Sequence, residues 1–159
     1  MSKQALPIEQ ILVLLTETPQ RIAALTAGVA PAQLQTPTDG EWSANDVLAH
    51  LRACADVWGG CIVAILAEDN PTLRAINPRT WIRKTDYPEQ KFQRSLRAFI
   101  AQRNELLAVL KPLSPQDWSR SATVTGAGAP LERTVLFYAP WLGEHERPHI
   151  KQIKRMLNK

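Results

Sequence analysis

The sequence is poor in the residues that most often carry chemistry. Its 159 positions hold two cysteines, three histidines and two methionines. Cys54 and Cys61 lie seven apart in one predicted helix. That is about two turns, or ~10 Å, beyond disulfide reach. They read as reduced thiols, and a cytoplasmic location is expected. Long hydrophobic runs are also missing. The longest uncharged apolar stretch, Val57 to Ala67, is about half of the ~20 residues a membrane span requires. The N-terminal MSKQALPIEQ has no apolar h-region of a secretory signal. Neither membrane insertion nor export is expected.

Nucleic-acid signatures are absent too, although the formal net charge is +4. There is no zinc-finger spacing, no RNP-like aromatic motif and no long basic run. The basic residues are spread out (Arg79, Arg83, Lys84, Lys91, Arg94, Arg97, Arg103), and the densest group is Lys151, Lys154, Arg155 and Lys159. Cations in the last turn of a helix complement its dipole, so this group needs no nucleic acid to explain it. A nucleic-acid partner is disfavoured. With 45% hydrophobic and 21% charged residues, the chain has the balance of a globular protein, and its length is that of one domain, residues 1–159.

What is present is helical periodicity, without sustained strand-like alternation. Leu6, Ile8, Ile11, Leu12, Leu15, Ile22 and Leu25 predict a first helix over 7–27, which Pro19 should kink or restart. A second helix is predicted over 44–67, with Ser43 and Asp46 as an acidic variant of the capping box. A third covers 88–110, opening on Pro88, and a fourth covers 131–157. Four amphipathic helices predict an all-α four-helix bundle. Pro-led turns at Pro31–Leu34 and Pro115–Trp118 precede helices two and four, which hints at two related hairpins. The connection over 68–87 is long for a bundle and suits either a crossover or a lid.

All three histidines fall on the helices that follow those turns. His145 and His149 are i and i+4 on helix four, so their rings project from one face and can share an ion at ~2.0–2.1 Å each. His50 is on the apolar side of helix two and can add a third nitrogen if the two helices are neighbours. Three neutral nitrogens with an open position suit a catalytic zinc, nickel or iron ion. His145-Glu146-Arg147-Pro148-His149 also matches the H-E-x-x-H of zinc proteases. Pro148 between the ligands, and the lack of Glu or His in the ten residues after His149, argue against that reading.

These same segments carry a family resemblance. EWSANDVLAHLRACADVW, after a kinked first helix and a Pro-led turn, resembles the entry to helix two of the DinB-like (DinB/YfiT-like) metalloenzymes. HERPHIKQI resembles their helix-four signature, H-x-x-x-H followed by Ile or Leu and Gln. The resemblance extends over nearly the whole chain. It implies up-down-down-up topology and a divalent ion on three histidines, here His50, His145 and His149. It further implies a metal-dependent enzyme of bacterial stress or detoxification metabolism. Branches of the family include bacillithiol- and mycothiol-using thiol-S-transferases and a mycothiol-dependent isomerase, so the nucleophile is either water or a low-molecular-weight thiol.

Around the histidines, Glu146 is the candidate catalytic proton shuttle, and Trp81 and Arg83 in the long connection are candidates for cofactor binding. Arg79 and Lys84 lie beside them and suit an anionic thiol. Asp46 can serve as helix cap or as a partner of a His50 ring N–H, and Cys54 as a core residue or one facing the ion. The expected partner is a small-molecule substrate, and a homodimer through the outer bundle faces is compatible with the pattern. Two other readings remain at this point. A non-catalytic metal- or ligand-binding bundle predicts a site with no solvent-connected open position. A DNA-associated stress protein predicts a continuous basic face and salt-dependent binding.

Overall fold

The computed structural model describes residues 5–37 and 40–158. The two ends of the expected 1–159 domain and positions 38–39 of the first connection lie outside the described residues. Four long helices dominate: α1 (Ile8–Thr26), α3 (Ala44–Ala67), α5 (Phe92–Leu110) and α7 (Val135–Leu157). Short helices α2 (Pro31–Gln35), α4 (Pro78–Trp81) and α6 (Pro115–Trp118) join them. Three strands, β1 (Thr72–Arg74), β2 (Ser121–Thr125) and β3 (Leu131–Thr134), complete the fold. α1 and α3 each pack against both α5 and α7, so the long helices surround a core that includes Leu15, Ile22, Leu48, Leu51, Phe99 and Leu142. Each such side chain contributes roughly 1.5–3 kcal/mol of transfer free energy when fully buried.

Local signals explain the helix starts. Ser43 Oγ accepts from the Asp46 amide at 3.0 Å, and the Ser43 amide donates to Asp46 Oδ2 at 2.9 Å, the predicted capping box. The two Pro-led turns are indeed the short helices α2 and α6, and each places one large side chain, Leu34 or Trp118, in the core. α3 is long and apolar enough to cross a membrane, yet 67% of its most apolar window is buried within the fold, as in the core helix of a bundle.

Several expectations are corrected. The chain is not purely helical: β2 pairs antiparallel with β3, and β1 adds parallel to β2. The signal was present but short. Ala122 and Val124 point inward while Ser121, Thr123 and Thr125 are half-exposed, and the β2–β3 turn carries Gly126 and Gly128 at φ 89°. Those glycines adopt a conformation that L side chains avoid. Helix four consequently starts at Val135 rather than 131, because residues 131–134 form β3. Helix three starts at Phe92, since Pro88 sits in a separate 3₁₀ turn.

Pro19 neither breaks nor restarts α1, which is continuous from Ile8 to Thr26. Proline has no N–H to give the carbonyl four residues back. The Leu15 carbonyl instead accepts from Arg103 Nη1 of α5 at 2.9 Å. α1 and α7 meet closely at Gly143, where a Cβ would lie 2.8 Å from both Cγ and Cδ2 of Leu14.

The long connection is strapped to α3. The Asp56 carboxylate accepts from Trp81 Nε1 at 3.0 Å and Tyr87 Oη at 2.6 Å through Oδ2, and from Gln102 Nε2 of α5 at 2.6 Å through Oδ1. Arg52 donates to Gln90 Oε1 and Ser95 Oγ, and its guanidinium lies 3.7 Å from the centroid of the Tyr87 ring.

Candidate metal centre

α3 and α7 lie side by side, and this brings the three histidines together. His50 Nε2 and His145 Nε2 approach to 3.3 Å. The ligand atoms of His50, His145 and His149 all lie within 4.8 Å of one another. His50 comes from the second turn of α3, after the Ser43 cap has set the helix start, and is only 6% exposed. His145 and His149 come from consecutive turns of α7. Gln152 Oε1 lies 3.0 Å from His149 Nδ1, so the amide oxygen can accept a hydrogen bond from Nδ1–H, which leaves Nε2 as the ligand atom.

The rings beside the histidines come from α3, α7 and the turn before α3, not from the long connection. Trp42 packs on His50 with centroids 5.3 Å apart, and Trp58 meets His145 edge-on at 5.0 Å with Trp141 behind it. Trp81 and Tyr87 instead belong to the Asp56 strap. Trp81 lines two clefts whose walls contain none of the three histidines, and Arg83 is exposed. The cleft that reaches His50 has a volume of about 340 Å³ and is walled by Trp42, Asp46, Arg79, Ile82 and Pro88. Arg79, rather than Arg83, is the cation of the connection that faces the histidines.

Glu146 is fully buried, with both carboxylate oxygens accepting from Arg103, which is itself 2% exposed. Among the described residues no hydrogen bond joins Glu146 to the histidines. Arg103 was not singled out from the sequence. It continues the inward stripe of Phe99, Leu106 and Leu110, and a cation on an apolar stripe is the signal for a buried partner.

Electrostatics favour neutral imidazoles. Burial first, then the nearby His149, His145 and Arg79, push the His50 pKa down to about 4. Burial, His149 and Arg79 lower that of His145. Burial holds the Cys54 thiol at about 12. Neutral nitrogens are the form that ligates metal, so at neutral pH His50 and His145 can take a divalent ion without first losing a proton. In the metal-free protein, the unfolded histidines take up protons near pH 6.5, where folded His50 does not. Stability is therefore full above about pH 6.5 and falls as the pH drops towards 4, by up to roughly 3 kcal/mol from His50. Thermal melts with chelator present, from pH 8 to pH 4, should show Tm declining through that window. A flat Tm would mean that His50 is solvated.

Comparison with known proteins agrees with this architecture. The sequence model of the DinB superfamily matches residues 14–153. A protein of Geobacillus thermodenitrificans, provisionally named a metal-dependent hydrolase, is 24% identical over 157 residues, covering 93% of this chain and 84% of its own. The structure of YfiT from Bacillus subtilis has a TM-score of 0.76 at 20% identity, covering 99% of this chain and 93% of that one. YfiT is described, again provisionally, as a metal-dependent hydrolase with an unusual four-helix bundle topology. The family match spans both histidine-bearing helices and the strap between them, and the chain belongs to the DinB superfamily.

Proposed function

We propose that this protein is a metal-dependent hydrolase of small molecules, with one divalent ion held by His50, His145 and His149. The observation that carries this reading is the convergence of three ligand nitrogens from two helices within 4.8 Å, with His50 on the wall of a cleft. When bound, the ion supplies Lewis acidity, polarising the substrate and activating a nucleophile at neutral pH. The chain supplies the rest. Gln152 orients His149, Trp42 and Trp58 pack against the other two rings, and the cleft beside His50 admits the substrate. Zinc, nickel and iron all suit the nitrogen set.

A low-molecular-weight thiol in place of water is the second reading. Arg79 favours it, because a cation on the cleft wall suits a nucleophile that carries a carboxylate. Glu146 is assigned as the partner of Arg103, which leaves proton transfer to groups on the cleft. The free thiols of Cys54 and Cys61 suit a reducing compartment such as the cytoplasm. The up-down-down-up order is supported by three sets of contacts. Arg52 and Asp56 meet Ser95 and Gln102, so α3 and α5 run together. His50 and Trp58 meet His149 and Trp141, so α3 and α7 oppose. Leu6 and Ile11 share a cleft with Leu136, Phe137 and Trp141, and Leu14 lies at Gly143, so α1 and α7 run together.

Elemental analysis of protein purified without a histidine tag should find about one equivalent of zinc, nickel or iron. The loaded protein should then hydrolyse members of a panel of chromogenic esters, amides and phosphates. Absence of metal even after incubation with excess ions would return the histidines to a packing role. Metal without hydrolysis, but with transfer of a thiol to an electrophile, would move the assignment to the second reading.

A further inference from the structure

The short helix α4 has two sides. On one, Arg79, with Ile82 just beyond the helix, stands on the wall of the His50 cleft. On the other, Trp81 is off that wall and donates its indole N–H to Asp56 Oδ2 at 3.0 Å. Asp56 follows His50 by about 240° of rotation around α3, and it too is off the wall. Its bonds to Tyr87 and Gln102 fix the carboxylate between the connection and α5. Asn77 caps α4 by accepting from the Arg79 amide at 2.9 Å, so Arg79 and Trp81 belong to one hydrogen-bonded turn.

Arg79 is exposed, and among the described residues its guanidinium has no hydrogen-bond or ion-pair partner. It is the only cation among the described residues of the cleft wall, and its charge is felt at His50 and His145. The carboxylate on that wall, Asp46, accepts from the Ser43 amide. Resting on the reading of this cleft as the substrate's way to the histidines, we infer that the substrate carries a carboxylate or phosphate bound by Arg79, and that Asp56 is the positioning residue that holds Arg79 there by way of Trp81. A guanidinium takes either group through two parallel N–H bonds, a geometry that needs the backbone behind it fixed. A helix of four residues does not persist in water by itself, so α4 depends on its anchors. The Asp56–Trp81 bond is the one that reaches α3 from within α4.

The test is quenching of tryptophan fluorescence by nitroaryl probes, since Trp42 stands on the same wall. The probes are 4-nitrobenzoate, 4-nitrophenyl phosphate and neutral 4-nitrobenzamide, applied to the full chain as purified and again with chelator. Wild type should bind at least one anion about 10-fold more tightly than the amide, as expected of one hydrogen bond to a charged group. With chelator, Arg79→Gln should abolish that preference and leave amide binding unchanged. Asp56→Ala should lose the preference as well, and the double variant should lose no more than either alone, because Asp56 acts through Arg79. Asp56→Asn should restore most of it, since its amide oxygen still accepts from Trp81 and Tyr87. If Asp56→Ala does not fold, Trp81→Phe, which removes the indole donor, should show the same loss. No anion preference in wild type, or full preference in Asp56→Ala or Trp81→Phe, would overturn the assignment. Zinc uptake, followed in parallel by chelator competition, should be unchanged in every variant. Anion preference without zinc uptake would leave Asp56 and Arg79 in their roles and remove the metal reading, and zinc uptake without anion preference would do the reverse.

Discussion

His145→Ala should abolish stoichiometric metal binding while leaving the helical circular dichroism nearly unchanged. The ring is half-exposed, so its removal costs the fold little. It nevertheless removes one of three convergent nitrogens, the one 3.3 Å from His50 Nε2. Loss of a partner that only orients a ligand costs about 10–100-fold in affinity. Loss of the ligand itself should exceed that, so a competition titration against a chromogenic chelator should find Kd raised by more than ~100-fold. Gln152→Ala touches only His149 Nδ1 and should fall within the smaller range. The ranking is the informative part. Equal effects of the two substitutions, or unchanged affinity in His145→Ala, would mean that the three rings do not share an ion.

Arg103→Leu should destabilise the protein by about 3–5 kcal/mol, because it leaves the Glu146 carboxylate charged and without its partner in the core. It also orphans the Leu15 carbonyl that Pro19 has already deprived of a helical donor. Against a total stability of about 5–15 kcal/mol, the loss should be plain in a urea melt. Glu146→Leu should cost a comparable amount by stranding the guanidinium. The double variant should cost less than the sum of the two, since no unpaired charge remains buried. Glu146 reads from the sequence as a proton shuttle, and the same experiment separates the two roles. A Glu146→Gln protein of wild-type stability that has lost only its turnover would restore the shuttle and refute the ion pair as its function.

Residue logic reached most of the site because the donors are rare and their spacing is local. Three histidines, two of them one turn apart, leave few ways to build a metal centre, and helical geometry alone puts His145 and His149 on one face. The helix boundary at Ser43 was legible for the same reason, since a capping box involves only residues three apart. Where the pattern was short the reading failed. The five residues of β2 and four of β3 are too few to set a period of two apart from loop, and only pairing across the hairpin makes them strands.

By itself, then, the sequence determined the helical class, the long helices to within a few residues at their ends, and the three candidate nitrogens, all of which depend on contacts between residues near in the chain. Only the tertiary structure decided which partners meet across helices. It set Arg79 rather than Arg83 on the cleft, Trp42 and Trp58 against the histidines, Trp81 on Asp56, and Cys54 against two imidazoles. It also gave Glu146 to Arg103, 43 residues away, and let Pro19 serve that same arginine by freeing a carbonyl. Such pairings depend on which faces of the helices are pressed together, a choice made by the packing of the whole core and carried by no local pattern.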